Sequence, residues 1–229
     1  HRVSLSMDGR WLAVGAPGDD ALAPDGTAGG RDSGAVYLYG RTGTDAPWAF
    51  FTKVKAPNGG VDDQFGSAVA LSQNGSDLFV GAPFEDSEAQ GGFTASQARA
   101  LFAGPQAGER EDSGAVYRFR VGLAVGEPLL LEHYLKPVGE TQDAFFGASL
   151  AAQGSTLAVG APGASWGAPH AGGVQLCRSG GGAWALEHTL YALQPGAAAS
   201  LARFGAALAL SGDGNRLAIS DGPGRGGNL

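Results

Sequence analysis

Leu78-Phe79-Val80-Gly81-Ala82-Pro83 recurs as Leu12-Ala13-Val14-Gly15-Ala16-Pro17 and as Leu157-Ala158-Val159-Gly160-Ala161-Pro162, with a worn copy at Leu217-Ala218-Ile219-Ser220. The intervals from Val14 to Val80, to Val159 and to Ile219 are 66, 79 and 60 residues, so one structural unit is used over and over. Three other motifs keep a fixed order around it. Phe65-Gly66, Phe146-Gly147 and Phe204-Gly205 come before the later copies. Asp32-Ser33-Gly34-Ala35-Val36-Tyr37, Asp112-Ser113-Gly114-Ala115-Val116-Tyr117 and Gly172-Gly173-Val174-Gln175-Leu176 come after. Trp48 to Lys55, Leu129 to Lys136 and Trp184 to Tyr191 close the unit.

Each segment reads as a strand. Val3 and Leu5, Val69 and Leu71, and Leu208 and Leu210 alternate with small or polar residues at period two, the pattern of a half-buried strand. Asp8-Gly9, Asn74-Gly75 and Asp213-Gly214 link the first two segments and predict two-residue hairpins. The third unit has 13 residues from Phe146 to Val159 where Phe65 to Val80 spans 15, so its turn around Gln153-Gly154 is expected to be tighter. Four short antiparallel strands per unit suit a radial β-propeller better than a solenoid. The repeated Gly and Ala let neighbouring sheets approach near the axis, with Phe65, Phe146 and Phe204 as larger plugs between them.

Composition agrees with an all-β chain. Forty Gly and 12 Pro among 229 residues all but exclude long helices, while 43 % apolar residues supply a core. The net charge of −7 without a Lys/Arg stripe argues against a nucleic-acid surface. Apolar runs such as Trp11 to Ala16 and Leu129 to Leu131 fall well short of the roughly 20 residues a membrane-spanning helix needs. The single cysteine, Cys177, has no partner thiol and reads as a packed or half-exposed side chain rather than a reactive one.

The ordered set Phe-Gly, hairpin, Val-Gly-Ala-Pro, Gly-Ala-Val-Tyr resembles the FG-GAP repeat of integrin α-subunit N-terminal domains and of many secreted or surface proteins. The resemblance spans essentially the whole chain. It implies a seven-bladed propeller that binds other macromolecules through loops on one rim. On that reading, residues 1–56 are unit one without its Phe-Gly, 57–137 unit two, 138–193 unit three and 194–229 the first hairpin of unit four. The chain would then be about three and a half blades of a larger ring, and the remaining blades of a longer chain would be its nearest partners. Family members often hold calcium in the first hairpin, in a D-x-D-x-D-G-x-x-D loop. Here Ser4, Ser6 and Leu12 fall at ligand positions around Asp8-Gly9, and Val69 and Leu71 do so for Asp77, so no calcium is expected at these hairpins.

Carboxylates recur after the second strand, at Asp19, Asp20, Glu85 and Asp86. A Ca²⁺ ion bridging the rim would use them, and the alternative is a solvated loop with Asx-turns. Unit three has Ser165 where Asp20 and Asp86 stand, which favours the second reading. Gly163-Ala164-Ser165-Trp166-Gly167 matches a G-x-S-x-G string, but Ala168-Pro169-His170 does not continue as the helix a nucleophile elbow requires. Gly222 to Gly227 lacks the Lys-Ser/Thr of a phosphate loop. His133 and His188, each after a Glu, share one strand position; cross-strand pairing accounts for them, with a metal or proton-transfer role as the alternative. Trp48 and Trp184 also match and are expected to pack on their own sheets. Asn74-Gly75-Ser76 is an N-glycosylation sequon at a hairpin tip.

The second unit carries a long insertion, residues 84–113, in which Thr94 and Gln97 form a capping-box pattern ahead of a helix over Ala95 to Ala103, with Gly104 to end it. Gln90, Phe93, Arg99 and Phe102 are its expected partner contacts. Together with the family resemblance, these readings describe a non-catalytic binding or adhesion module, extracellular or on the cell surface, that presents loops to a protein or glycan. The alternative is an accessory propeller domain of a larger secreted enzyme such as a hydrolase. Neither a catalytic residue nor a cofactor is assigned.

Overall fold

The period-two segments pair in sequence order. In the computed structural model, which describes residues 2–21, 30–103, 110–121, 129–139, 142–166, 168–180, 183–191 and 203–220, the first sheet is β1 (Val3–Leu5), β2 (Trp11–Ala16), β3 (Ala35–Gly40) and β4 (Ala49–Val54), in that order. The second is β5 (Ala68–Leu71), β6 (Asp77–Ala82), β8 (Ala115–Arg120) and β9 (Leu130–Lys136), with β7 (Gly91–Thr94) added outside β9. The third is β10 (Ser149–Gln153), β11 (Thr156–Ala161), β12 (Gly173–Gly180) and β13 (Ala183–Leu190), and β14 (Leu208–Leu210) with β15 (Leu217–Ile219) begins a fourth. All pairs are antiparallel, and the register repeats: Val3 faces Val14, Val69 faces Val80 and Leu150 faces Val159.

Successive sheets meet along their inner strands, β1 beside β5, β5 beside β10 and β10 beside β14. These four strands line one open groove of about 400 Å³. The sheets are therefore propeller blades radiating from an axis, and the described residues form an open arc. Apolar side chains fill the gaps between blades. Leu38, Phe65, Leu78, Tyr117 and Phe119 lie between the first and second, Phe79, Phe146, Leu157 and Trp184 between the second and third, and Ala158, Val174 and Leu208 between the third and fourth.

The repeated glycines explain how the blades come this close. A Cβ on Gly15, Gly81 or Gly160 would overlap the carbonyl oxygen of Gly66, Gly147 or Gly205 in the next blade. Those partners hold φ of +94°, +92° and +91°, where glycine alone is comfortable. The Phe before each partner makes a parallel bridge back to the preceding blade, Gly34 with Phe65, Gly114 with Phe146 and Gly172 with Phe204. The Phe-Gly and Gly-Ala-Pro motifs are thus the two halves of one seam.

Three expectations need correction. The second blade has five strands, because part of its insertion pairs as β7 with β9; a four-residue segment containing two glycines carries little strand signal. The hairpins at Asp8-Gly9, Asn74-Gly75 and Asp213-Gly214 are wider than two residues. Ser6 N donates to Trp11 O and Gly9 N to Ser6 O, while the Ser6 hydroxyl donates to Asp8 at 2.6 Å and accepts from Trp11 N at 2.9 Å. Ser72 and Ser211 repeat this arrangement, so a side-chain bridge selects a four-residue loop over the tighter type I′ turn. Lastly, Trp184 packs across a seam on Phe79, with ring centroids 5.2 Å apart, whereas Trp48 stays on its own sheet beneath the Arg41 guanidinium. In the third hairpin, Gln153 faces Thr156 and leaves Gly154-Ser155 as a two-residue turn, tighter than its counterparts as the spacing predicts.

Candidate functional site

In an antiparallel blade, the loops after the second and fourth strands emerge at the same end. That end carries the described residues among 17–34, 55–67, 83–114, 137–148 and 162–172, and in the first two blades its loops are fastened from beneath by buried polar groups. In the first blade, Asp19 accepts from Lys53 at 2.8 Å and from the Tyr37 hydroxyl at 2.7 Å, while Lys55 bridges to the Ser33 hydroxyl at 2.8 Å. Burial pushes the Asp19 carboxyl up, but the hydrogen bonds from Lys53 and Tyr37 outweigh it and bring it down to about 2. In the second blade Glu85 occupies the same place. It pairs with Lys136, accepts from the Tyr134 hydroxyl at 2.7 Å and from Asn58 at 2.9 Å, and Lys136 donates to the Ser113 hydroxyl at 2.7 Å.

The Lys136 and Glu85 side chains are 0 % and 4 % exposed. Their ion pair therefore works in a medium where an unpaired charge would be costly. Burial nonetheless pushes the Lys136 ammonium down, and it holds the Tyr117 and Tyr134 phenols well above their ordinary value. Both tyrosines thus remain neutral donors. Asp63 lies close by, buried, accepting from Gly60 N at 2.7 Å. Burial pushes its carboxyl up to about 7.

The third blade replaces the whole set. Ala164 stands at the Asp19/Glu85 position, Ala171 at Ser33/Ser113 and Tyr191 at Lys55/Lys136, and buried Trp166 packs against Gly173. Carboxylate, serine and lysine disappear together, as expected of members of one polar unit whose parts are costly alone.

The carboxylates read as rim cation ligands are accordingly occupied by protein groups. Lysine ammoniums sit on Asp19 and Glu85. Asp20 and Asp86 are exposed and accept from Asp32 N at 2.7 Å and Asp112 N at 2.9 Å, which closes their loops. Among the described residues no group of His, Cys, Asp and Glu is placed to hold a metal ion. Burial and the neighbouring Asp86, Asp143 and Glu111 push the Asp112 carboxyl up to about 6.

The insertion folds along the outer edge of the second blade. Its helix α1 (Ala95–Ala103) is the one predicted, with Thr94 N and the Thr94 hydroxyl both donating to Gln97 Oε1 at 2.9 and 2.8 Å; Gly104 lies outside the described residues. Phe93 and Phe102 pack on the Tyr134 ring, at 6.1 and 5.1 Å between centroids. Gln90 and Arg99 are exposed, and Gln90 also donates to Gly139 O at 3.1 Å.

The other candidates have structural surroundings. Ser165 Oγ accepts from His170 N at 3.1 Å, and no helix follows it among the described residues. His133 faces Arg118 across the sheet at 3.0 Å, while His188 is exposed; Glu132 and Glu187 pair with Arg120 and Arg178. Asn74 is exposed at its hairpin tip, its side-chain oxygen accepting from Ser76 N at 3.1 Å. Gly222 to Gly227 lies outside the described residues.

Residue-by-residue reading passed over a cavity of about 510 Å³ at the axial end of this rim. Its wall is built from one position in three successive blades, the residue just before Phe-Gly: Gln64, Phe145 and Arg203. All three have a φ of +53°. Arg2, His170 and Phe84 add to the lining. The signal was available in the alignment of units, as the position next to an invariant motif whose side chain changes each time.

Comparison with known proteins bears on the family. The model of the FG-GAP repeat matches residues 48–97, which run from the outer strand of the first blade through β5 and β6 into α1. No curated protein matches the chain. Among solved structures, the β-propeller domain of Cps50 (Swd1) from Myceliophteria thermophila is similar at 14 % identity, covering 96 % of this chain and 79 % of that one with a TM-score of 0.35. The propeller assignment rests on this chain's own strand pairing. Residues 48–97 thus match the FG-GAP repeat, and the same Phe-Gly and Gly-Ala-Pro seam, formed three times, sets them in a chain with the fold of a β-propeller arc.

Proposed function

We propose that this chain is a non-catalytic binding module, extracellular or at the cell surface, that presents the loops of its anchored rim to a protein or glycan as an adhesion domain does. One observation carries the reading: the described parts of the rim loops of the first two blades are preformed, tied to the blade beneath by the Asp19–Lys53 and Glu85–Lys136 pairs. A preformed surface loses little conformational entropy on binding. The linkers are fastened as well, Asn58 to the Tyr117 hydroxyl at 2.8 Å and Val138 to Gln175 at 2.9 and 3.3 Å. Further blades of a longer chain, up to the seven of a closed ring, would extend this surface. Exposed Gln90 and Arg99 belong to it, whereas Phe93 and Phe102 support it from below.

The test is to screen the full chain, shown to be folded by a cooperative melt, against arrays of extracellular proteins and glycans. Capture of a specific ligand, weakened at least tenfold by Gln90→Ala/Arg99→Ala or by substitutions at Asp20 and Asp86, supports the reading. A folded chain that binds nothing, while an adjoining domain of its gene proves to be a hydrolase, would favour the accessory role instead.

A further inference from the structure

The geometry points to the axial cavity between the second, third and fourth blades as a binding site for a carboxylate carried on an aromatic-sized apolar body. This deepens the binding-module reading by naming what one part of its rim accepts. The argument begins with backbone cost. Gln64, Phe145 and Arg203 hold left-handed φ, a conformation that disfavours any residue with a Cβ by roughly 1 kcal/mol and that glycine adopts freely. The chain places glycine at the adjoining seam positions 66, 147 and 205, yet keeps three large and chemically different side chains one position earlier in each motif. All three line the same cavity. Retained backbone strain that delivers side chains to one concavity is a mark of a site.

The chemistry of the walls selects the ligand. Phe84 and Phe145 meet edge to face at 5.4 Å between centroids and form an apolar wall with Pro83 and Pro162. Arg2 and Arg203 stand on the same cavity. In a chain of net charge −7, Arg31, Lys53, Lys55, Arg110, Arg118, Arg120, Lys136 and Arg178 meet carboxylates, whereas among the described residues Arg2 and Arg203, like Arg10, Arg41, Arg99 and Arg216, meet none within ion-pair distance. Among the described residues no acidic side chain lines the cavity, and Gln64, Ser67 and His170 add polar groups that can hydrogen-bond an anion. Two uncommitted guanidiniums beside an apolar wall suit a carboxylate with an aromatic flank. The volume of about 510 Å³ lies within the usual range for small-molecule sites.

The experiment is isothermal titration of the full chain with N-acetylphenylalanine and, as the uncharged match, N-acetylphenylalaninamide. The acid is expected to bind about tenfold more tightly than the amide, the worth of one charge-assisted contact. Arg203→Gln, which copies the residue that the second blade already tolerates in this conformation, should abolish that difference. Phe145→Gln should weaken both ligands, and Arg99→Gln, away from the cavity, should change neither. A pentapeptide ending in a free phenylalanine carboxylate separates the sources: binding equal to the acid's assigns the site to protein C-termini, and failure to bind assigns it to free small acids. Equal affinity for acid and amide, no detectable binding of either at millimolar concentration, or an Arg203→Gln variant of native melting behaviour that still prefers the acid would overturn the proposal. Retained binding of a macromolecule on the arrays in any of those cases would leave the module reading standing and reject only the site.

Discussion

Removing Glu85 should cost this chain more than removing Glu85 and Lys136 together would suggest. Glu85→Ala strands the Lys136 ammonium, whose side chain is 0 % exposed, with only the Ser113 hydroxyl at 2.7 Å and the Glu85 carbonyl at 3.5 Å as acceptors. It also strips the Tyr134 hydroxyl and Asn58 of a common acceptor. Breaking a buried pair from one side costs about 3–5 kcal/mol, equivalent to a melting-point loss of roughly 6 to 20 °C for a domain of this size. Lys136→Met should cost a similar amount, because it leaves the carboxylate uncompensated. The double variant removes both charges and should cost no more than either single one, a coupling of about 3 kcal/mol. The third blade already does without both groups, having Ala164 and Tyr191 in their places. Urea unfolding followed by tryptophan fluorescence measures all four corners of this cycle. Additive losses, with the double variant near the sum of the singles, would refute the claim that the pair behaves as one unit.

Further outcomes follow from other parts of the molecule. Gly81→Ala places a methyl group against the Gly147 carbonyl across a seam and should prevent cooperative folding, whereas Gly43→Ala, with open space around it, should change stability by less than about 0.5 kcal/mol; circular dichroism melts separate them. Asp63 has its carboxyl raised to about 7, so between pH 4 and pH 7, roughly, the folded chain keeps a proton that the unfolded chain releases. Its contribution therefore makes stability fall as pH rises through that window, by up to about 1.4 kcal/mol per pH unit, and Asp63→Asn should remove that slope in denaturation series at several pH values. Asp19 acts in the opposite sense: its carboxyl is lowered to about 2, so the stability it adds is present above pH 4 and lost as pH falls toward 2. Cys177 is buried, and burial pushes its thiol up to about 12, so Ellman's reagent should react with it only once the chain is unfolded; fast labelling of the native chain would show the seam to be open.

Much of the architecture could be read directly from residues. Repeated Gly-Ala-Pro and Phe-Gly pairs announce themselves because a seam that excludes Cβ atoms leaves only glycine as an option, and Val3, Val69 and Leu208 mark strands by their period, although β5 is buried on both faces and β1 leaves Val3 and Leu5 exposed rather than half-buried as the alternation implies. The α1 helix was legible from Thr94 and Gln97, since a cap is a local device. β7 was hidden, because Gly91-Gly92-Phe93-Thr94 becomes a strand only when β9 offers it an edge. The rim carboxylates were visible but their partners were not: Asp19 meets Lys53 and Lys55, and Glu85 meets Lys136, 34 to 51 positions apart. Without strand register no spacing rule connects them, and an ammonium satisfies a carboxylate as a metal would. The axial cavity needed the ring itself, since Gln64, Phe145 and Arg203 converge only when three blades are placed around a common axis.

The strand that the insertion adds has a mechanical consequence. β7 extends the perimeter of the second blade until it touches β13 of the third, and a Cβ on Gly92 would overlap the Trp184 carbonyl there. What looks from the chain like surplus length is a strut lashing two neighbours together at their greatest distance from the hub, where a hinge would have most leverage. Splaying of the second and third blades is thus resisted at both ends of the spoke, while the first and second, like the third and fourth, are held chiefly near the centre, so breathing of the arc should open those two seams before the one between the second and third.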